Sequence, residues 1–342
     1  MKFNIFFNIK VFFLIKIRKL LKSARKQEIK INNTIKFLFW KQKNNHSNIF
    51  LSKDFLDNQK SINNEKYLPK KLAVCICFYY KESKFKYLKE VCNNLMQLAS
   101  EVDVTIITNE NSKDKLKILK ENIDPIIKNF NIYNAQEFQD PYLLPWVHYT
   151  VMRKKILDKS FTHFMYTEDD ILTSKENIIY WIKGRKALEK FKLIPSFLRT
   201  EENALDKNLY STDMMKRMKF EKMPKVFSDS ENISFVNILN PYNAIYFLDR
   251  ELMLEHLNGS SSNPDFGFFN QEIRDTFPIR ERAALGLMYY NVPEGFLNRH
   301  VIPVSAKNKT VYNYCFVKHL PNNYVNDFSK QIAKIKVDEV FY

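Results

Sequence analysis

KLAVCICFYY (71–80) is a short, continuous apolar run, and such a run reads as a buried strand. The chain then alternates. KYLKEVCNNLMQLA (86–99) places Leu88, Val91, Cys92, Leu95 and Met96 at helical spacing, and VDVTIITNE (102–110) is β-branched and reads as a second strand. A further helix and strand follow through Ile132. LPWVHYTVMRKKILD (144–158) reads as a helix with Pro145 at its start, and FTHFMYTEDD (161–170) as an apolar strand that ends in acids. Strand–helix alternation of this kind predicts an α/β fold, a mixed but mostly parallel sheet flanked by helices. In such sheets ligands sit beyond the carboxyl ends of the strands.

After residue 175 the pattern is less regular. ENIIYWIKGRKALEKF reads as a helix, KVFSDSENISFVNIL as an antiparallel hairpin, and NPYNAIYFLDRELMLEHL (240–257) as a strand running into a helix. IRERAALGLMY (279–289) reads as a short helix and FVKHLPNNY (316–324) as a strand and a turn. The boundary predicted at the other end falls near Pro69. Residues 1–70 form an Asn- and Lys-rich arm and linker, and 71–342 form one catalytic domain.

The acids of YTEDDI (166–171) carry the strongest chemical signal. Adjacent carboxylates repel and lose hydration, so a core strand would not end this way without water or a cation to receive them. Alternation puts Glu168 and Asp170 on one face and Asp169 on the other. Two carboxylates on one face can bind a hard divalent cation, directly or through water. The competing reading is a solvated acidic turn that caps a helix.

An apolar strand ending in these acids resembles the glycosyltransferase A-fold (nucleotide-diphospho-sugar transferase) enzymes, whose signature is a hydrophobic strand closed by Asp-any-Asp or an acidic variant. The resemblance spans about residues 70–320, and Glu168 in place of the usual first Asp departs from it. Together with RERAALGL and HLPNNY, the related stretches DPYLLPWVHY (140–149) and NPYNAIYFLD (240–249) resemble a bacterial glycosyltransferase-like group. The resemblance implies an irregular C-terminal half that carries the acceptor. It implies that Glu168 and Asp170 hold Mn²⁺ or Mg²⁺ on the phosphates of a nucleotide sugar, with His319 as a late-chain ligand and Asp169 contacting ribose, metal or backbone. Phe78, Tyr79, Tyr80, Lys81 and Glu82 would hold the nucleotide base, with Tyr79 or Tyr80 stacking on it. Glu281 stands where inverting members place a general base, with Glu272 and Asp275 as rivals. Flanking Arg280 and Arg282 would lower its pKa. Trp146, His148, Arg199 and Asn240 are further pocket candidates. The activity implied is transfer of a sugar to a carbohydrate or lipid-linked acceptor.

Charge sharpens the choice of partner. The net charge is +16, but residues 1–71 hold 17 Lys and Arg against 4 Asp and Glu, leaving the rest at +3. The body is thus nearly neutral and no nucleic acid is expected. The first 26 residues, apolar but broken by Asn, Lys and Arg, suit an interfacial helix on an anionic membrane surface better than a spanning one. A cytoplasmic enzyme, peripheral on the inner face of the membrane, is the corresponding expectation. Cys75, Cys77, Cys92 and Cys315 lack zinc-pair spacing and read as small buried hydrophobes. The five glycines form no dinucleotide fingerprint, phosphate loop or nucleophile elbow, which argues against redox, P-loop and α/β-hydrolase chemistry. Two rivals stay open: a metal-dependent hydrolase using the same acids, and a membrane- or polyanion-binding protein acting through the arm without catalysis.

Overall fold

A computed structural model describes residues 65–127, 130–135, 140–228, 233–265, 276–327 and 329–342. Residues 1–64 of the basic arm, and the rival acids Glu272 and Asp275, lie outside the described residues.

Four parallel strands form the centre: β1 (Lys71–Phe78), β2 (Glu101–Thr108), β3 (Phe130–Asn134) and β4 (His163–Glu168). Helices α1 (Phe85–Leu95), α2 (Lys113–Ile123) and α3 (His148–Lys155) lie between them in the chain. β1 is buried from Leu72 to Phe78, as its unbroken apolar run requires. α1 buries Phe85, Leu88, Val91, Cys92 and Leu95, whereas Met96, expected on that stripe, lies just past the helix end and is 40% exposed. α3 starts later than expected. Pro145 lies inside a 3₁₀ run, Pro141–Val147, because a proline has no N–H to give an α-helical bond and its ring crowds the preceding turn.

The chain continues through β5 (Ile171–Leu172), α4 (Lys175–Leu188), β6 (Ile194–Pro195), β7 (Leu198–Glu202) and β8 (Leu209–Ser211). It then forms β9 (Lys225–Ser228), β10 (Ile233–Asn237), β11 (Ile245–Asp249) and α5 (Arg250–Asn258). It closes with α6 (Ile279–Arg282), β12 (His300–Ser305), β13 (Phe316–His319) and β14 (Ile335–Lys336). Reciprocal bonds between Ser174 and Asn177 start α4. α6 is shorter than the stretch 279–289 suggests, since turns replace helix beyond Arg282 and Gly286 sits at a φ of +53°.

The main sheet has the order β11-β4-β1-β2-β3, with β11 antiparallel to β4. From β1 the chain steps outward to β2 and β3, then crosses back to lay β4 on the other flank of β1. The order reverses between β1 and β4, and their carboxyl ends, Phe78 and Glu168, flank a crevice where α/β sheets take their ligands. The second half is less irregular than its sequence suggests. β9 and β10 form the expected hairpin within a sheet β6-β12-β10-β9, and a third sheet runs β14-β8-β7-β13-β5. α4 packs on the main sheet through Trp181, whose ring meets Phe247 edge-on at 4.8 Å. The protein is thus α/β, with mixed sheets flanked by helices. All four cysteines are free and buried, and burial pushes each thiol above its usual pKa. Among the described residues no helix is long and apolar enough to cross a membrane.

Candidate functional site

The third sheet builds the site. β5 begins one residue after the acids and pairs with β13, setting Ile171 opposite His319. The Leu320 amide donates to the Asp170 carbonyl at 2.9 Å, which fixes that register beside the acidic turn. β13 also pairs with β7, and alternation along β7 sends Arg199 and Glu201 to one side. Glu201 bonds His319 Nδ1 through Oε1, and its Oε2 accepts the amides of Tyr324 at 2.9 Å and Val325 at 2.6 Å. His319 is therefore held at Nδ1 by a buried carboxylate, stacked on Tyr324 at 4.8 Å, with Nε2 3.7 Å from Asp170 Oδ2.

Glu168 and Asp170 line a cleft of about 540 Å³, together with His319, Arg199, Tyr242 and Glu281. Its rim is basic, with Lys81, Lys84, Lys86 and Arg280. Asp169 is nearly buried and lies outside the lining of the cleft. The expected set Glu168, Asp170, His319 and Glu281 thus meets in one cavity from three separate segments: the acidic end of β4, the end of β13, and α6.

Each wall has its own support. Tyr242 donates to Glu168 Oε1 at 3.3 Å. Asn240 bonds both the Tyr242 amide and the Asp213 carbonyl. Arg199 grips Asp213 with two bonds of 2.9 and 2.7 Å, and its guanidinium lies over Tyr242 at 5.2 Å. The turn carrying Glu281 is tied to the 3₁₀ run by Trp146 Nε1, which donates to the Ile279 carbonyl at 2.8 Å, and to α3 by Tyr149, which donates to the Ala283 carbonyl at 3.2 Å. Trp146 and Asn240 therefore act through others, Arg199 reaches the cleft, and His148 is wholly buried.

The nucleotide-base residues fall elsewhere. Phe78 is fully buried in the core. Tyr80 packs edge-on to Phe78 and Phe85 and gives its amide to Asn109, while Tyr79 is half exposed. None of the three lines the cleft, because β1 ends at Phe78 and the chain then turns. Only Lys81 of that group does.

Lys84 Nζ lies 2.9 Å from Asp169 Oδ1 and 3.7 Å from Asp170 Oδ2. Even so, burial and the charge of Asp170 push Asp169 up to about 7, and the same two causes raise Glu168. Asp170 is also penalised by burial, but His319 and Lys84 hold its pKa below the usual value. Burial disfavours the His319 cation, yet Asp170 and Glu201 outweigh it and raise the imidazole. Asp169 Oδ2 and Asp170 Oδ1 are buried and find no hydrogen-bond partner among the described residues. Such orphaned carboxylate oxygens suit a further cation.

No group of three or more His, Cys, Asp or Glu side chains among the described residues is arranged to hold a metal by itself. The donors present fit a hard cation that takes its remaining ligands from phosphate and water, as Mg²⁺ commonly does. Glu201 behind His319 is the kind of second carboxylate that orients a metal-binding imidazole.

Glu281 differs from expectation in one respect. Burial raises its pKa more than Arg280, 3.9 Å away, lowers it. Lys84, Glu201 and Tyr242 were not foreseen. The basic KESKFK after β1 and the alternating RTE of β7 were their signals. No family model matches the chain, and no curated protein shows significant similarity to it.

Proposed function

We propose that the protein is a glycosyltransferase of the A-fold type, moving a sugar from a nucleotide-diphosphate donor to a carbohydrate or lipid-linked acceptor. One observation carries this reading: the Glu168–Asp170 strand end, His319 and Glu281 converge from three segments on one cleft at the β1/β4 crevice. Asp170 and His319, with Glu168, would hold Mn²⁺ or Mg²⁺, which when bound offsets negative charge on the leaving diphosphate. Lys81 and Lys86 favour the same anionic group at the rim. Tyr242 fixes Glu168 in place by its hydrogen bond. Glu281 takes the proton of the attacking acceptor hydroxyl, and its raised pKa makes it the stronger base. A base supplied by Glu281, on an element separate from the acids, corresponds to an inverting reaction. Residues 1–26 would hold the enzyme at an anionic membrane surface on the cytoplasmic side.

The full chain is screened by thermal shift against nucleotide sugars with Mn²⁺, and products are read by mass spectrometry. A donor at about 100 times its Kd adds about 2.7 kcal/mol of stability. The expected result is a shift with one nucleotide class that is lost in Glu168→Gln/Asp170→Asn. Glu281→Gln should keep donor binding and lower transfer by roughly 10²–10⁴. The reading fails if no nucleotide or nucleotide sugar binds. Because Glu281 reaches the cleft from a separate element, hydrolysis is the second reading, and release of free sugar at the same rate with and without acceptors would favour it.

A further inference from the structure

Lys84 ends a 3₁₀ turn, Glu82–Lys84, just beyond the carboxyl end of β1, whose neighbour β4 carries the acids. Its ammonium is the protein's own cation at the acidic strand end, bonded to Asp169 Oδ1 at 2.9 Å and 3.7 Å from Asp170 Oδ2. That is where a divalent cation held by Asp170 would feel it as a like charge. The side chain is also 34% exposed and lines the cleft between Lys81 and Lys86. A flexible four-carbon stem lets the ammonium turn from the acids toward an anion in the cleft.

Resting on the transferase reading above, we propose that Lys84 is a displaceable counter-cation: it neutralises Asp169 and Asp170 in the free protein and moves to the donor's diphosphate on binding, so that metal enters with or after the diphosphate. Metal alone then meets a site already carrying a positive charge. Diphosphate alone finds three lysines without needing metal. Once the ammonium has shifted, its like charge no longer opposes a cation at Asp170, whose Oδ1 is already unpartnered, and the phosphates supply the missing ligands. Burial opposes the Lys84 charge, but Asp169 and Asp170 outweigh it and hold its pKa above the usual lysine value, so the ammonium is present at every pH of interest.

The test uses the full chain and two probes, Mn²⁺ alone and inorganic pyrophosphate in EDTA, both titrated calorimetrically. Removing a like charge a few ångströms from the metal position should matter by at least about tenfold. Lys84→Met should therefore bind Mn²⁺ at least about tenfold more tightly than the wild type and pyrophosphate correspondingly more weakly. Lys84→Arg, which keeps the charge, should bind Mn²⁺ as weakly as the wild type. If Lys84→Met does not fold, Lys84→Gln carries the same comparison. Equal Mn²⁺ affinities in wild type and neutral variant overturn the proposal, as does a complete lack of Mn²⁺ binding by both. Neither probe depends on sugar transfer, so this failure is separable from failure of the transferase reading, which nucleotide-sugar binding decides.

Discussion

Glu201 joins the fold to the site, and its removal should be felt in both. Its carboxylate is buried and serves three partners: His319 Nδ1 on Oε1, and the amides of Tyr324 and Val325 on Oε2. Glu201→Ala leaves two amides and an imidazole without their acceptor in a place that water reaches poorly. An unmade bond costs about 1–3 kcal/mol for each buried group. Three partners at the lower half of that range give a destabilisation of about 4 kcal/mol, a large share of the 5–15 kcal/mol that holds an ordinary domain together. Glu201→Gln keeps one oxygen for the two amides and loses mainly the charge behind His319, so about 1–2 kcal/mol is expected. Urea unfolding followed by tryptophan fluorescence measures both variants. In the same preparations, Mn²⁺ affinity in the presence of pyrophosphate should fall roughly 10–100-fold for Glu201→Gln, the usual effect of losing a carboxylate that orients a metal-binding histidine. An alanine variant as stable as the wild type would refute the bonding scheme. A glutamine variant with unchanged Mn²⁺ affinity would show that His319 is not a ligand.

Two further outcomes follow from particular contacts. His300 is buried, shares a hydrogen bond of 3.1 Å between its Nδ1 and Ser196 Oγ, and burial lowers its pKa to about 3. Its folded pKa lies below its unfolded value near 6.5, so its contribution to stability is present above about pH 6.5 and is lost as pH falls toward 3. At pH 5 the loss is about 2 kcal/mol, and the drop in unfolding free energy between pH 7.5 and 5 should be smaller by that amount in His300→Gln; parallel curves would show an imidazole that titrates normally. Gly184→Ala pits helix propensity against space: alanine would gain about 1 kcal/mol within α4, but its Cβ would stand 2.8 Å from Pro195 Cγ on β6, so the melting temperature should fall instead of rise.

The sequence reading succeeded where local pattern and final structure share a cause. The apolar run of β1 and the alternation of strand and helix specify a covered parallel sheet, because only that arrangement buries every strand face. Alternation at the end of β4 predicts Asp169 on the face opposite Glu168 and Asp170, but the strand ends at Glu168, and although Asp169 does not line the cleft, Lys84 reaches both Asp169 and Asp170. Pro145 misled because one residue marks both a helix start and a 3₁₀ turn. Tyr79 and Tyr80 misled because exposure at a strand end depends on where the following turn sends the chain.

The lysines and the buried carboxylate escaped notice for a different reason. Nothing within a few residues of Glu201 hints at His319, 118 positions away in the chain; their meeting depends on β7 pairing with β13. Lys84 and Asp169 are likewise 85 positions apart and meet because β1 lies beside β4. Local composition cannot tell a solvated lysine from one that balances a buried acid, since both occur in short polar stretches after a strand. Strand pairing decides between them, and here it gathers five ionisable groups, Lys84, Glu168, Asp169, Asp170 and His319, around one crevice. Such a concentration of charge is costly to fold, and its two orphaned carboxylate oxygens add to the cost. A core strand ending in apolar residues would avoid that cost altogether, and under the proposed reading a cation taken up together with an anionic ligand would offset it.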